Sequence, residues 1–137
     1  LALRGKSAVA TARLAYRRYL ERFHGPAFAA LRAAGVRPQF MLWASTGTKN
    51  PAYSDLLYVE PLIGAETVNT LPDATLAALR DHGRVSRTLD NDVAAADGQY
   101  AALATVGVNL DEVGDRLQQE GLAQFEQAFA ALLELTA

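Results

Sequence analysis

The chain of 137 residues has no cysteine, one methionine and one tryptophan, and it contains no long hydrophobic run. The absence of cysteine excludes disulfides and thiolate metal sites, and it agrees with a reducing compartment. No stretch approaches the roughly 20 apolar residues that span a bilayer, and the first residues do not build a signal-peptide core. We therefore expect a cytoplasmic protein with no membrane partner.

Acidic residues are scarce near the start of the chain, although the net charge is only −2. Up to residue 40 a single acidic residue, Glu21, accompanies eight basic ones, and after residue 40 fourteen acidic residues face five basic ones. This asymmetry fits either a nucleic-acid surface or a segment that lies against an acidic neighbour. The acidic second part weighs against nucleic acid, so we predict no such partner. The eight basic residues are Arg4, Lys6, Arg13, Arg17, Arg18, Arg22, Arg32 and Arg37.

Neither the histidines nor the paired carboxylates predict a metal site or an acid–base pair. His24 and His82 are isolated, and each precedes a glycine at a predicted helix end, where a cationic ring suits the helix dipole. Asp90 and Asp92 stand at a predicted helix start, where N-capping by Asp90 explains them. We therefore predict that the chain binds no metal ion.

One stretch, QFMLWASTGTKNPAY at residues 39–53, carries the groups best suited to chemistry. Its apolar first part is typical of a strand buried on both faces. Hydroxyl residues follow, and Gly47 lets backbone N–H groups converge on an anion, to which Lys49 adds a positive charge. Asn50 is expected to cap a helix whose first residue is Pro51. The pattern predicts a phosphate site made by a strand end, a turn and a helix N-terminus.

Hydrophobic periodicity and turn residues divide the rest of the chain into short elements. A helix between the strand above and a β-prone stretch at residues 67–70 would make a βαβ unit with parallel strands. The expected fold class is α/β, predominantly helical with two short parallel strands. Strands are predicted at residues 39–44 and 67–70; helices are predicted at residues 7–23, 26–35, 51–62 and 73–82, and across 90–135 with a break at 107–109 and a bend or division at Gly121.

Two parallel strands alone pose a physical problem. They leave much of their backbone hydrogen-bonding capacity unused, and a sheet generally needs three or more strands for independent stability. We therefore expect further strands from outside these 137 residues, and the absence of a methionine at Leu1 points the same way.

The chain resembles one protein family along its whole length. LWASTGTKNPAYSDLLYVEPLIG at residues 42–64, followed by ETVNTLPDATLAALRDHG at 66–83, is similar to the C-terminal portion of transaldolases of a longer bacterial subfamily. The preceding RGKSAVATARLAYRRYLERF at 4–23 and the tail at 89–133 resemble the flanking helices. WASTGTKNP followed by VNTLP is the specific part of the resemblance.

The resemblance implies that the chain is the C-terminal segment of a single TIM (β/α)₈ barrel domain and supplies its last two strands. The family's Schiff-base lysine and its acidic proton-transfer residues lie on earlier strands, outside this sequence. By itself the chain is then expected to be inactive. Its first partner is the remaining segment of the same barrel, and a homo-oligomer stays open.

The resemblance also implies an activity. Transaldolases are transferases of the pentose phosphate pathway that move a dihydroxyacetone unit between sugar phosphates through a lysine imine, without metal, nucleotide or other cofactor. Ser45, Thr46 and Lys49 match the phosphate-binding segment after the seventh strand, and Gly47 and Asn69 are secondary candidates. Shorter transaldolases carry an arginine in this loop, where this chain has residues 47–49.

Two other interpretations stay open. The chain could be a non-catalytic interaction module whose basic helix binds nucleic acid or an acidic protein, in which case its affinity would fall steeply with salt. It could also be part of a bifunctional protein that fuses transaldolase to glucose-6-phosphate isomerase.

Overall fold

The computed structural model of the protein describes residues 3–136, most of which are helical. It contains two compact units, residues 3–100 and residues 101–136. In chain order the elements are α1 (Ser7–Phe23), α2 (Pro26–Ala33), β1 (Met41–Trp43), a 3₁₀-helix (Glu60–Leu62), β2 (Thr67–Asn69), α3 (Asp73–His82), α4 (Val93–Thr105) and α5 (Leu110–Thr136).

The strands β1 and β2 form a two-stranded parallel sheet, which confirms the predicted pair of short parallel strands. Each strand is shorter than predicted, with three residues. Just beyond β2 the N–H of Thr70 donates to the carbonyl of Trp43 at 3.0 Å, so the ladder continues past the end of the strand. The paired residues are Met41 with Thr67, Leu42 with Val68 and Trp43 with Asn69.

The core of the first unit lies between α1 and one face of this sheet. Tyr16 and Tyr19, three residues apart on one face of α1, stack with their ring centroids 5.8 Å apart. Because alternate residues of a strand share a face, residues 41 and 43 face α1, while Leu42 is 56% exposed on the other face. The buried cluster contains Tyr16, Tyr19, Leu62 and Leu89, with Met41 and Trp43 packed against it.

The α-helix predicted for residues 51–62 is wrong. The chain there makes tight turns, such as the one in which the N–H of Leu57 donates to the carbonyl of Ser54 at 3.1 Å. Only Glu60–Leu62 is helical, and it is a 3₁₀-helix. Pro61 explains the last turn of this stretch, because it has no N–H to donate and disfavours the α conformation of the residue before it.

Two predictions about the terminal helices are also wrong. Asp90 does not cap α4, which begins at Val93; its carboxylate instead accepts a hydrogen bond from Arg87 Nε at 2.8 Å. Gly121 does not divide α5, which continues through it, since a glycine inside a helix costs only about 1 kcal/mol. The predicted break before α5 is confirmed, and Gly107 there has a φ of +79°.

A polar cluster joins the end of α1 to the residues before β2. Glu66 has a φ of +56°, and its carboxylate accepts a hydrogen bond from the Tyr19 hydroxyl at 2.5 Å. His24 Nε2 lies 2.6 Å from the same oxygen, and the Tyr16 hydroxyl donates to the carbonyl of Ala65 at 3.1 Å. The Tyr19 hydroxyl is the main cause that lowers the pKa of Glu66, while burial, more than this bond, raises the pKa of Tyr19 to about 12.

We expect this cluster to give the free energy of unfolding an acid limit and an alkaline limit. The pKa of Glu66 is below its usual 4.5 in the folded state, so its contribution is full above about pH 4.5 and is lost as pH falls through the lowered pKa. The pKa of Tyr19 is raised from 10, so its contribution is full below pH 10 and is lost as pH rises through about 12. Tyr16, whose pKa burial also raises, adds to the alkaline limit.

Urea unfolding at a series of pH values checks both limits. Tyr19→Phe should lower the free energy of unfolding by about 1.5–3 kcal/mol near neutral pH, because it removes a hydrogen bond to a charged carboxylate, and it should make both limbs of the pH profile shallower. Tyr53→Phe, which lies outside the cluster, is the control. Identical profiles for Tyr19→Phe and the unchanged protein would contradict the prediction.

The second unit consists mainly of α5, which has 27 residues. Most of its large apolar side chains are exposed, including Phe125 at 79% and Phe129 at 61%. In the part of the chain from residue 3 to residue 136, no helix combines the length and the apolar character needed to cross a membrane.

Candidate functional site

The predicted site residues lie in one loop that begins where β1 ends. Ser45 has a φ of +57°, a left-handed conformation that costs a non-glycine residue roughly 1–2 kcal/mol. After this change of direction Thr46 is 4% exposed, whereas Lys49 is exposed. The loop therefore has one anchored residue between two exposed ones, Ser45 and Lys49.

Asn69, the last residue of β2, holds the anchored residue. The Thr46 hydroxyl donates a hydrogen bond to Asn69 Oδ1 at 2.7 Å. Asn69 Nδ2 in turn donates to the carbonyl of Tyr58 at 3.3 Å. Both ends of the Asn69 carboxamide thus bind protein groups, and the end of β2 is connected to the loop after β1 and to the turns before the 3₁₀-helix.

Gly47 lies against the first turn of α3. A Cβ at this position would be 3.2 Å from Pro72 Cγ and 3.5 Å from the hydroxyl of Thr75, which is itself buried. Glycine is favoured here because a larger residue would crowd Pro72. The loop that follows β1 is therefore packed against α3, the helix that follows β2.

The helix expected to begin at Asn50 and Pro51 is absent, and this changes the electrostatics of the site. Asn50 does cap, because its Oδ1 accepts a hydrogen bond from the N–H of Ala52 at 3.0 Å, but it caps a single turn. A single turn has no aligned peptide dipoles to attract an anion. Positive charge in this loop must therefore come from Lys49.

A cavity of about 250 Å³ lies beside the loop. The helix α1 contributes small side chains, Ala8 and Ala12, and the loop contributes Ser45 and Thr46. Tyr58 also lines the cavity, and it was not a sequence candidate. Because residues 51–62 were predicted to be one regular helix, no pattern indicated that this tyrosine would meet the end of β1.

Both histidines have carboxylate neighbours, so the prediction that they are isolated is wrong. His24 contacts Glu66 in the cluster described above. His82 lies 3.1 Å from Asp55 and 3.1 Å from Asp81, and hydrogen bonding to Asp55 and then to Asp81 raises the pKa of His82. Among residues 3–136 no group of three or more His, Cys, Asp or Glu side chains is placed to hold a metal ion.

One acidic neighbour of the basic helix lies within the chain. Arg17 of α1 donates to both oxygens of Asp97 in α4, at 2.6 and 3.0 Å, and it also approaches Glu21 at 4.0 Å. These side chains are exposed, and pairs of this kind contribute about 0–1 kcal/mol. The contacts nevertheless occupy the centre of the arginine-rich surface of α1.

Comparison with known proteins identifies close relatives. Residues 1–136 match the family model described as Transaldolase/Fructose-6-phosphate aldolase. A transaldolase of Thiobacillus denitrificans is 64% identical over 133 residues, which cover 97% of this chain and 37% of that protein. Transaldolases of Neisseria meningitidis serogroup C and Mycolicibacterium smegmatis are 52% and 47% identical, over 96% and 99% of this chain and 37% of each relative.

These matches confirm the resemblance that the loop and strand residues indicated. They cover nearly the whole chain, whereas the chain spans only 37% of the length of each of these three relatives. The family match includes β1, the loop with Ser45 and Lys49, and β2. The chain belongs to the transaldolase/fructose-6-phosphate aldolase family.

Proposed function

We propose that the protein containing this chain is a cytoplasmic transaldolase of the pentose phosphate pathway, which transfers a dihydroxyacetone unit between sugar phosphates. Family membership supports the proposal, since the three relatives above are transaldolases. The observation that carries it is the family match over residues 1–136. In addition, the hydroxyl and lysine side chains follow the C-terminal end of a parallel strand, which is where (β/α)₈ barrels bind substrates.

The uncovered face of the sheet supports a barrel. Leu42 and Val68 are register partners, and they are 56% and 44% exposed on the face that points away from α1. In a closed barrel such alternate strand residues fill the interior. We propose that β1 and β2 are the seventh and eighth strands of a TIM barrel, and that polypeptide outside this chain supplies the other six.

In this barrel the loop after β1 binds the phosphate of the substrate. The exposed hydroxyl of Ser45 donates a hydrogen bond, and Lys49 supplies charge. Within residues 3–136 no acidic side chain is at salt-bridge distance from Lys49, whereas Arg17, Arg87 and Arg116 are all paired. An ammonium group without a carboxylate partner is suited to a dianion that arrives from solution.

The imine-forming lysine belongs to the part of the barrel outside this chain. The two lysines of the chain are Lys6 and Lys49, and both are exposed. A lysine that attacks a carbonyl must lose its proton, and an apolar, desolvated site favours that loss. Neither lysine lies in such a site, so the role of this chain is to bind and orient the sugar phosphate while the amine reacts.

An exchange experiment tests the activity. The segment of the Thiobacillus denitrificans transaldolase that matches this chain is replaced by the chain, and the product is called the exchange enzyme below. We expect the exchange enzyme to transfer a three-carbon unit from fructose 6-phosphate to an aldose phosphate. The isolated chain, and the relative with the segment deleted, are the controls and should both be inactive.

Two results would contradict the proposal. The first is an exchange enzyme that unfolds at the temperature of the intact relative and yet has no transaldolase activity. The second concerns the imine, which borohydride reduction in the presence of fructose 6-phosphate makes permanent. A labelled Lys6 or Lys49 would place the reacting amine in this chain, contrary to the assignment above.

A further inference from the structure

We propose that the Thr46–Asn69 hydrogen bond is a positioning device for the phosphate loop and that Asn69 does not itself contact substrate. This inference rests on the proposed function. Asn69 Oδ1 accepts from the Thr46 hydroxyl at 2.7 Å, and Asn69 Nδ2 donates to the carbonyl of Tyr58 at 3.3 Å. A carboxamide that is engaged at both ends has little capacity left for a ligand.

The backbone around this bond explains why the loop needs it. Asn69 has a fixed place, because it is the register partner of Trp43 at the end of the sheet. Ser45 departs from the sheet with a φ of +57°, a conformation that persists only when its surroundings hold it. The side chain of Thr46, 4% exposed, is the next attachment of the loop to the sheet.

Burial makes the hydroxyl of Thr46 dependent on its partner. A buried hydroxyl without a hydrogen bond carries a desolvation penalty, so the loop gains stability only in the arrangement in which Thr46 reaches Asn69. In that arrangement Gly47 contacts the first turn of α3, and Ser45 and Lys49 are exposed. The bond thus fixes the direction in which the phosphate-binding groups point.

Asn69→Leu and Thr46→Val in the exchange enzyme test the inference, because each replaces one partner by an apolar side chain of similar size. We expect each variant to raise the KM for fructose 6-phosphate and the inhibition constant of inorganic phosphate together, by about tenfold, with kcat changed less than about threefold. Thr46→Ser keeps the hydroxyl and should restore values near those of the unchanged enzyme. Both variants remove the Thr46–Asn69 bond, and Asn69→Leu also removes the bond from Asn69 Nδ2 to the carbonyl of Tyr58, so the double variant should be no worse than Asn69→Leu alone.

Three results would overturn the inference. If Asn69→Leu raises both constants and Thr46→Val does not, the Thr46–Asn69 bond does not position the loop. If both variants only lower the melting temperature, the bond has a structural role alone. Calorimetric binding of inorganic phosphate provides a readout without turnover. If the exchange enzyme is inactive but binds phosphate, and both variants bind it about tenfold more weakly, the proposed function is wrong and the inference stands. If the exchange enzyme binds no phosphate, both are wrong.

Discussion

Leu89→Ala in the exchange enzyme is expected to lower the free energy of unfolding by about 2–5 kcal/mol, the range typical of a leucine removed from a packed core. Leu89 has 0% of its surface exposed and lies in the cluster with Tyr16 and Leu62. Its backbone cannot move inward to fill the space, because its N–H is bonded to the carbonyl of Ile63 at 3.0 Å. The Leu89 side chain also packs against the backbone of Gly64, where an added Cβ would lie 2.7 Å from Leu89 Cδ2.

Urea unfolding of the variant and of a matched control measures this effect. Val85→Ala is the control because it removes an aliphatic side chain from the same connecting segment, where Val85 is 78% exposed. We expect the control to change the free energy of unfolding by less than about 0.5 kcal/mol. Equal losses in the two variants would mean that Leu89 does not occupy the core of the assembled protein.

The elements that the sequence predicts best are those whose boundaries depend on nearby residues. The helix α1 ends at Phe23 as predicted, and Gly25 is required there because a Cβ would lie 2.1 Å from the carbonyl oxygen of Glu21. Pro26 begins α2, where a missing N–H has no cost. The parallel pairing of β1 and β2 was also predictable, because the connection between them is too long for a hairpin.

The elements that the sequence predicts badly depend on partners far along the chain. Asp90 is an exception, because the Arg87 guanidinium that binds its carboxylate is only three residues away; a carboxylate at this spacing can cap a helix or bind the arginine, and the sequence does not separate the two roles. Glu66 follows no periodic pattern, yet its carboxylate accepts a hydrogen bond from the hydroxyl of Tyr19, which is 47 residues away in the chain. Residues 51–62 have helical spacing of apolar side chains and yet form turns, and Pro61 accounts only for the last of them.

The candidate site shows the same division. The hydroxyl residues, Gly47 and Lys49 could be chosen from the sequence, because their chemical types and their place after an apolar run suffice. Their roles could not be separated in that way. Thr46 and Lys49 are three residues apart, yet one is buried against Asn69 and the other is exposed, and the left-handed Ser45 between strand and loop gives no signal in composition.

Lys49→Met in the exchange enzyme is expected to raise the KM for fructose 6-phosphate by roughly 10- to 100-fold, because a hydrogen bond to a charged group contributes about 1.5–3 kcal/mol. The change removes the ammonium group and keeps a long side chain. It should leave the stability of the protein unchanged, since Lys49 is exposed and no carboxylate among residues 3–136 is paired with it. Lys49→Arg, which keeps the charge, should lose much less.

Steady-state kinetics with two substrates distinguish a phosphate contact from a general effect. Lys6→Met is the matched control, because it removes the other lysine, which precedes α1 and is also exposed. With fructose, which has no phosphate, Lys49→Met should behave like the unchanged enzyme, since the ammonium then has no dianion to bind. A KM for fructose 6-phosphate that is the same in Lys49→Met and Lys6→Met would remove Lys49 from the site and leave the binding of the phosphate to Ser45 and the backbone of the loop.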